Sequence, residues 1–320
     1  MTADIKTVAL VGTGVIGAGW AARLLFHGLD VTATDPGGAP ERLRESVENA
    51  WPSMSALHPD PPAKGELRFE KNLADAVADA DFVQENAPED EDLKRDLLAK
   101  ISRSARPDAP IASSSSGLLP TRLQRDCITP ERVLIGHPFN PVYLLPLVET
   151  LGGERTDPAV LERAEAFYAS IGMHPLRVRR EVEGYISDRL QEAMWREILH
   201  MVKDGIATTD EIDRAIAYGP GLRWAGMGTC LTFHLAGGEG GMRHMLAHFG
   251  PSLEKPWTHL KAPELTPELI ERMASGCEAQ ADGRSVRDLE RERDAYLVAV
   301  LKALRDVNVG AGRTLPAASP

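Results

Sequence analysis

The sequence Gly12-Thr-Gly14-Val-Ile-Gly17-Ala-Gly19 stands between an apolar run, Thr7 to Val11, and a helical pattern, Val15 to His27. Glycines at this spacing suit a turn that presents backbone to a phosphate. Gly12 permits the tight turn, Gly14 lets a pyrophosphate approach, and Gly17 lets the following helix pack close to the preceding strand. Free N–H groups of the loop and first helical turn, at Thr13, Val15 and Ile16, would then face the phosphates. A second apolar run, Asp30 to Thr34, ends at Asp35. A carboxylate there accepts hydrogen bonds from the adenine ribose hydroxyls and repels a 2′-phosphate, and Pro36 rather than an arginine follows it. The expected cofactor is NAD, not NADP. A purely structural glycine turn would need neither the flanking strand and helix nor the acid about 20 residues on.

The second constellation is Gly136-His137-Pro-Phe-Asn140-Pro141, with Glu149 12 residues beyond the histidine in the apolar run Leu145 to Leu151. A buried carboxylate needs a partner. A histidine that takes a proton from an alcohol needs its other ring nitrogen fixed, and a carboxylate can fix it and stabilise the imidazolium. His137 and Glu149 fit that requirement. Local sequence leaves a catalytic base and a structural histidine equally open.

The elements that must position these residues alternate in type. The glycine loop opens a strand–turn–helix–strand unit, and a longer helix covers about Ala39 to Leu57. His58 to Gly65, with three prolines, reads as a loop. Leu73 to Val77 is helical, Asp81 to Gln84 a strand, Asp90 to Ser102 a helix and Pro110 to Ser113 a strand. Val133 to Gly136 and Leu145 to Leu151 are further strands, Pro158 to Ile171 a helix, and His174 to Val178 closes the series. This predicts an α/β fold: a doubly wound, parallel-rich Rossmann-type sheet over residues 1–182, with ligands at the carboxyl ends of its strands. From Tyr185 onward the pattern is helical (Tyr185 to Val202, Thr209 to Tyr218, Arg284 to Val307), which predicts an all-helical C-terminal domain over 183–310. The apolar stripe Ile186, Leu190, Met194, Ile198 and Met201 suits a core or a dimer interface. Residues 311–320 read as a disordered tail.

The bulk numbers agree with this reading. Three hundred and twenty residues exceed one ordinary domain. A net charge of −11 disfavours nucleic acid or an anionic membrane as partner. Cys127, Cys230 and Cys277 are odd in number and lack metal-ligand spacing, so neither a disulfide nor a metal site is expected. With no signal peptide and no 18-residue apolar run, the expected location is the cytoplasm.

The order of motifs resembles the 3-hydroxyacyl-CoA dehydrogenase family: the glycine loop, Gln84-Glu-Asn-Ala-Pro-Glu89, Ala112-Ser-Ser-Ser-Ser116, His137-Pro-Phe-Asn140-Pro and Leu147-Val-Glu149. The likeness runs from about residue 5 to about residue 200. The segments ENAWP, SSSSGLLP, GHPFNPVYLLPLVE, TTDEID, GLRWAGMGT and FGPSLEKPWTHL extend it past residue 260 toward a subgroup acting on carnitine. The resemblance implies His137 as catalytic base, Glu149 as its partner, Ser116 at the substrate oxygen, Asn140 beside the histidine, and Glu89 and Lys94 near the nicotinamide half of the cofactor. One departure matters. Where acyl-CoA enzymes carry asparagine, this chain has Asp188, which would suit a cationic substrate end.

The implied substrate is a small molecule, carnitine or a related 3-hydroxy acid. A quaternary ammonium is held by aromatic faces and diffuse negative charge. Tyr143 is the favoured aromatic, with Trp195, Trp224 and Phe233 further candidates that could equally fill core. Ser116 and Arg223 are candidates for the substrate carboxylate, and Arg189 is as well explained as a surface cation. A 3-hydroxyacyl-CoA substrate would need a basic rim, for which only Lys64, Arg68 and Lys71 offer themselves. L-Gulonate is another relative's type of substrate. A catalytically idle NAD-binding protein is the non-enzymatic alternative. The helical domain is expected to form a homodimer.

Overall fold

The computed structural model describes residues 5–317 except 59, 250, 252–254, 260, 262, 263 and 265. Parts of two segments singled out above, FGPSLEKPWTHL and residues 318–320 of the expected tail, lie outside the described residues. The chain divides into two compact units. One runs to Asp188 and takes in the segment from Thr314; the other runs Arg189–Arg313.

The first unit contains β1 (Thr7–Val11), α1 (Val15–Phe26), β2 (Asp30–Thr34), α2 (Pro40–Leu57), β3 (Leu67–Phe69), α3 (Leu73–Ala78), β4 (Phe82–Glu85) and α4 (Glu91–Ser104). There follow β5 (Ile111–Ser113), α5 (Pro120–Leu123), β6 (Val133–Pro138), β7 (Leu147–Gly152), α6 (Pro158–Ser170) and β8 (His174–Arg177). The strands form one sheet in the order β3-β2-β1-β4-β5-β6-β7-β8. Every neighbouring pair is parallel except β6 and β7, which run antiparallel. Strand order reverses between β1 and β4, and in sheets of this kind ligands bind at the carboxyl edge beside such a switch.

Apolar residues cover both faces, as a parallel sheet requires. On β1, Val8 and Leu10 join a core with Trp20, Phe26 and Tyr168, while Ala9 and Val11 join another with Leu98, Ile101 and Tyr185. The alternation is the two-residue period of a strand. Sequence patterning located these elements but not β3 or α5. Three residues, none of them buried, and a single helical turn are too short to carry a periodic signal. β7 starts at Leu147 rather than Leu145, after Pro146, which has no N–H to give to a ladder.

A polar strut crosses under the site. Burial pushes the Tyr168 phenol well above its usual pKa, keeping it a donor. Its hydroxyl donates to Gln84 Oε1 at 2.6 Å, and Gln84 Nε2 donates to Ser114 Oγ at 2.8 Å and to the Gly136 carbonyl at 3.1 Å. The ring explains Gly136: a Cβ there would lie 2.0 Å from the phenol oxygen. The Gln84 side chain thus ties β4 to the residue after β5 and to β6, and Tyr168 from α6 holds its other end.

The second unit holds most of α7 (Ser187–Lys203), then α8 (Thr209–Ala217), α9 (Pro220–Trp224), α10 (Thr229–Ala236), α11 (Gly241–Phe249), α12 (Pro267–Ala281) and α13 (Val286–Asp306). Among the described residues it has no strand. Capping boxes at Thr208 with Glu211 and Ser285 with Asp288 start α8 and α13. A buried cluster of Val202, Ile212 and Leu269 packs with half-buried Ile198, Met201 and Met273. The expected disordered tail instead begins with a 3-10 turn, Gly310–Thr314, in which Gly312 is buried. Among the described residues no helix is long and apolar enough to cross a membrane.

Tyr168→Phe removes the donor and leaves Gln84 Oε1 buried without a partner. We expect a loss of ~1–3 kcal/mol in folding stability, read as a lower urea midpoint at unchanged slope.

Candidate active site

The loop between β1 and α1 has the geometry its glycines require. Gly12 has φ +96°, and a Cβ on it would lie 2.8 Å from the Asn86 backbone. A Cβ on Gly17 would lie 2.0 Å from the Gly12 carbonyl oxygen, so the helix can begin only with glycine there. A Cβ on Gly14 would meet nothing within 4 Å. Gly14 also caps α1 without a side-chain acceptor for the first-turn amides. The loop is therefore closed on its protein side by Gly12 and Gly17 and open on the other at Gly14, where a phosphate can approach the helix N-terminus. Val15 is 69% exposed, while Ile16 packs against the core.

Asp35 braces this loop. Its Oδ2 accepts from the Thr13 amide at 2.8 Å and the Thr13 hydroxyl at 2.9 Å, and its Oδ1 accepts from the Gly37 amide at 2.9 Å. A carboxylate has about four acceptor positions, so capacity for a ribose hydroxyl remains. Thr13, Gly14, Val15, Asp35, Gly38 and Arg42 line a cleft of about 300 Å³. Its shape and donor set fit the adenosine and phosphates of a dinucleotide. Arg42, in the first turn of α2, was not anticipated: the sequence drew attention only to the residue directly after Asp35.

The ends of β4 and β5 carry a second brace. Lys94, which the resemblance places near the nicotinamide half of the cofactor, is buried, with Nζ at 2.9 and 3.0 Å from the two Glu85 carboxylate oxygens and 2.9 Å from the Ala87 carbonyl. Glu85 is itself fully buried and also accepts from the Ser113 hydroxyl and the Ala87 amide. The ammonium's three protons are all met inside the protein. Glu89 sits 3.9 Å from Lys94 Nζ and turns Oε1 to the serine loop. There it accepts from the Ser115 hydroxyl at 2.6 Å, the Ser116 amide at 3.0 Å, the Ser116 hydroxyl at 3.4 Å and the Gly117 amide at 3.1 Å. Glu89 and Lys94 thus fix where Ser116 stands. Glu85 and Ser115 were missed, although a carboxylate inside an apolar strand was a usable signal, as it was for Glu149.

His137 and Glu149 are direct cross-strand partners on antiparallel β6 and β7. Side chains so placed share a face of the sheet. His137 Nδ1 lies 3.1 Å from Glu149 Oε2. The other carboxylate oxygen accepts from the amides of Ile186 and Ser187, both at 3.0 Å. Gly184 and Tyr185 have φ +71° and +45°, and this left-handed turn aims the two amides at Glu149. A non-glycine residue in that region marks a strained position held by its surroundings. Tyr185 is held by burial and by its hydroxyl, which donates to the Leu118 carbonyl at 2.8 Å. Burial alone would raise the Glu149 pKa; the His137 hydrogen bond, the two amides and the His137 charge outweigh it and hold the carboxyl below its usual 4.5.

The rings beside His137 are Phe139 at 5.3 Å and Tyr185 at 5.6 Å, both edge-on. Neither was a candidate from sequence, although Phe139 lies inside the histidine motif. Tyr143 is half-buried and packs against the core that contains Trp20. Asn140 is exposed, two residues after the end of β6. Asp188 Oδ2 stands 3.8 Å from His137 Nε2, the nitrogen turned away from Glu149. Arg223 and Trp224 close α9 in the helical unit, both exposed. Among the described residues no group of three or more His, Cys, Asp or Glu could hold a metal.

Residues 7–182 match the family model of the 3-hydroxyacyl-CoA dehydrogenase NAD-binding domain, and residues 184–281 that of the C-terminal domain. An L-carnitine dehydrogenase of Bacillus cereus is 56% identical over 310 residues, covering 96% of this chain and 95% of that one. One of Pseudomonas aeruginosa is 56% identical over 311 residues, covering 97% of each. Among solved structures, an NAD+-dependent 5-formyl-3-hydroxy-2-methylpyridine 4-carboxylic acid 5-dehydrogenase is similar, with a TM-score of 0.78 at 28% identity, covering 94% of this chain and 98% of that one.

The Glu149 contacts set a pH dependence. Because its folded pKa is lowered, the carboxylate contributes stability above the unfolded pKa and loses it as pH falls through the folded value. Glutamine stands in for the protonated acid. Denaturation of wild type and Glu149→Gln should differ most near about pH 7 and converge as the pH falls through the lowered folded value; a gap independent of pH would contradict the assignment.

Proposed function

The chain belongs to the 3-hydroxyacyl-CoA dehydrogenase family, and from that membership we propose that it oxidises the 3-hydroxyl of L-carnitine to 3-dehydrocarnitine with NAD. The observation that carries the chemistry is a buried histidine whose Nδ1 is held by a buried carboxylate at the carboxyl edge of the sheet. The likeness to L-carnitine dehydrogenases over almost the whole chain carries the choice of alcohol.

NAD, bound along Gly12 to Gly17 with its ribose on Asp35, supplies the acceptor for the hydride that leaves C3. His137 takes the hydroxyl proton at Nε2. Glu149 keeps the opposite nitrogen protonated, so that Nε2 carries the lone pair, and then stabilises the imidazolium. Ser116, fixed by Glu89, and Asn140, next to the base, position the substrate oxygen. Lys94 and Glu85 hold the serine loop at the right depth. We assign residues 1–182 to cofactor binding and base chemistry and 183–310 to the helical domain. The chain has no membrane-crossing helix among its described residues, and we read its location as the cytoplasm.

A homodimer through the helical domain accounts for its apolar surface. Leu190, Met194 and Trp195 on α7 are 70%, 38% and 44% exposed, while the buried cluster beneath is small. Light scattering should give about twice the 34.8 kDa of one chain, and the monomer mass at micromolar concentration would reject the dimer.

His137→Ala should lower kcat by ~10²–10⁴ while NAD still binds; near-normal turnover would remove the base from the mechanism. NADH formation with L-carnitine, D-carnitine, 3-hydroxybutyryl-CoA and L-gulonate side by side tests the substrate. Turnover of L-carnitine supports the proposal, and turnover of the CoA ester or gulonate alone overturns it. NAD binding with no alcohol oxidised points to an idle protein.

A further inference from the structure

Resting on the carnitine reading, we propose that Asp188 is the counter-charge for the substrate's cationic end, and that it thereby sets both the preference for a cation and the enantiomer oxidised. Its place beside the base is built by the backbone. Glu149 Oε1 receives the Ile186 and Ser187 amides, the left-handed turn at Gly184 and Tyr185 delivers them, and α7 begins at Ser187. Asp188 is therefore the second residue of a helix whose start is anchored by the same carboxylate that orients His137. An acid in a first helical turn is favoured as an anion by the helix dipole.

Asp188 Oδ2 lies 3.8 Å from His137 Nε2, and its side chain keeps 32% exposure against 8% for the imidazole. The acid thus stands at the outer side of the base, where a substrate hydroxyl must arrive. In carnitine one methylene joins the alcohol carbon to the ammonium nitrogen. Bond lengths and staggered torsions keep that nitrogen within ~4 Å of the hydroxyl oxygen. With the hydroxyl hydrogen-bonded to Nε2, the cation cannot lie more than ~7 Å from it, within electrostatic reach of Asp188. The carboxylate arm leaves the same carbon and is repelled by Asp188. The two arms are therefore sorted by charge. In the mirror-image substrate, keeping the hydroxyl and the departing hydrogen in place puts the carboxylate against Asp188.

An alternative role for Asp188 is to make His137 more basic. That role would act equally on every alcohol, whereas a counter-charge favours only one that carries a cation. The discriminating probe is 3-hydroxy-5,5-dimethylhexanoate, in which a quaternary carbon replaces the ammonium nitrogen of carnitine. In Asp188→Asn, kcat/KM for L-carnitine should fall ~10- to 100-fold more than for the isostere that lacks the cation, and the preference for L- over D-carnitine should shrink. Asp188→Glu should recover part of both. Calorimetry supplies a readout without turnover: γ-butyrobetaine should lose more affinity in the asparagine variant than 5,5-dimethylhexanoate. Equal losses for the probes with and without the cation, or an unchanged preference for the cation, would overturn the inference while leaving the carnitine reading intact. Failure of the wild-type enzyme to oxidise carnitine would overturn both.

Discussion

Glu149 has no solvent exposure, yet it is held as a carboxylate. An ionised group in that position is costly unless its lone pairs are met. Here one oxygen takes the imidazole and the other takes two backbone amides. Satisfying the charge therefore does three things together. It orients His137, fixes the turn at Gly184 and Tyr185, and sets where α7 begins. Removing the carboxylate would leave two amides without their acceptor and a ring without its orientation, so His137 and the start of α7 share one support.

The same device recurs along the carboxyl edge of the sheet. Glu85 is buried with Lys94, the Ser113 hydroxyl and the Ala87 amide around it. Glu89 gathers the amides of Ser116 and Gly117 and the hydroxyl of Ser115. Asp35 gathers Thr13 and Gly37. In each case a carboxylate takes up the donors of an irregular segment that no ladder could pair. Loops after strands need such support if they are to hold a ligand without moving, because their backbone has no neighbouring strand to bond. The result is a rigid edge made from four acids of the chain's acidic surplus.

The sequence disclosed what depends on short-range pattern. The glycine loop could be read because the clashes that exclude a Cβ at Gly12 and Gly17 arise within one strand–turn–helix unit or against its neighbouring strand. The order of strands and helices followed from periodicity, and the helical second unit followed from its absence of strand signals. What stayed hidden depends on contacts between distant segments. Tyr185 reaches His137 only because the chain returns after β8, and its positive φ leaves no trace in residue type. The pairing of Lys94 with Glu85 was hidden because the two sit on different elements and no local pattern links them. Arg42 enters the nucleotide cleft by helical phase, seven residues after Asp35, where no motif marks it. The order of the tail's first residues also depends on a contact with another segment: Gly312 is buried where only a glycine fits against the Leu304 and Arg305 backbone.

The 12-residue interval between His137 and Glu149 has a topological reason. Parallel neighbours must be joined by a crossover of a dozen residues or more, so residues on parallel strands at this interval could not face each other. The sheet is parallel everywhere except between β6 and β7. That single reversal lets a short connection bring the acid back opposite the histidine, in register and on the same face. It also places the pair at the carboxyl end of β6, beside the loops that follow β4 and β5, because β6 itself still runs parallel to them. Local reversal within a parallel sheet thus supplies the short-range pairing that orients His137 without moving it from the edge where the glycine loop and the serine loop converge.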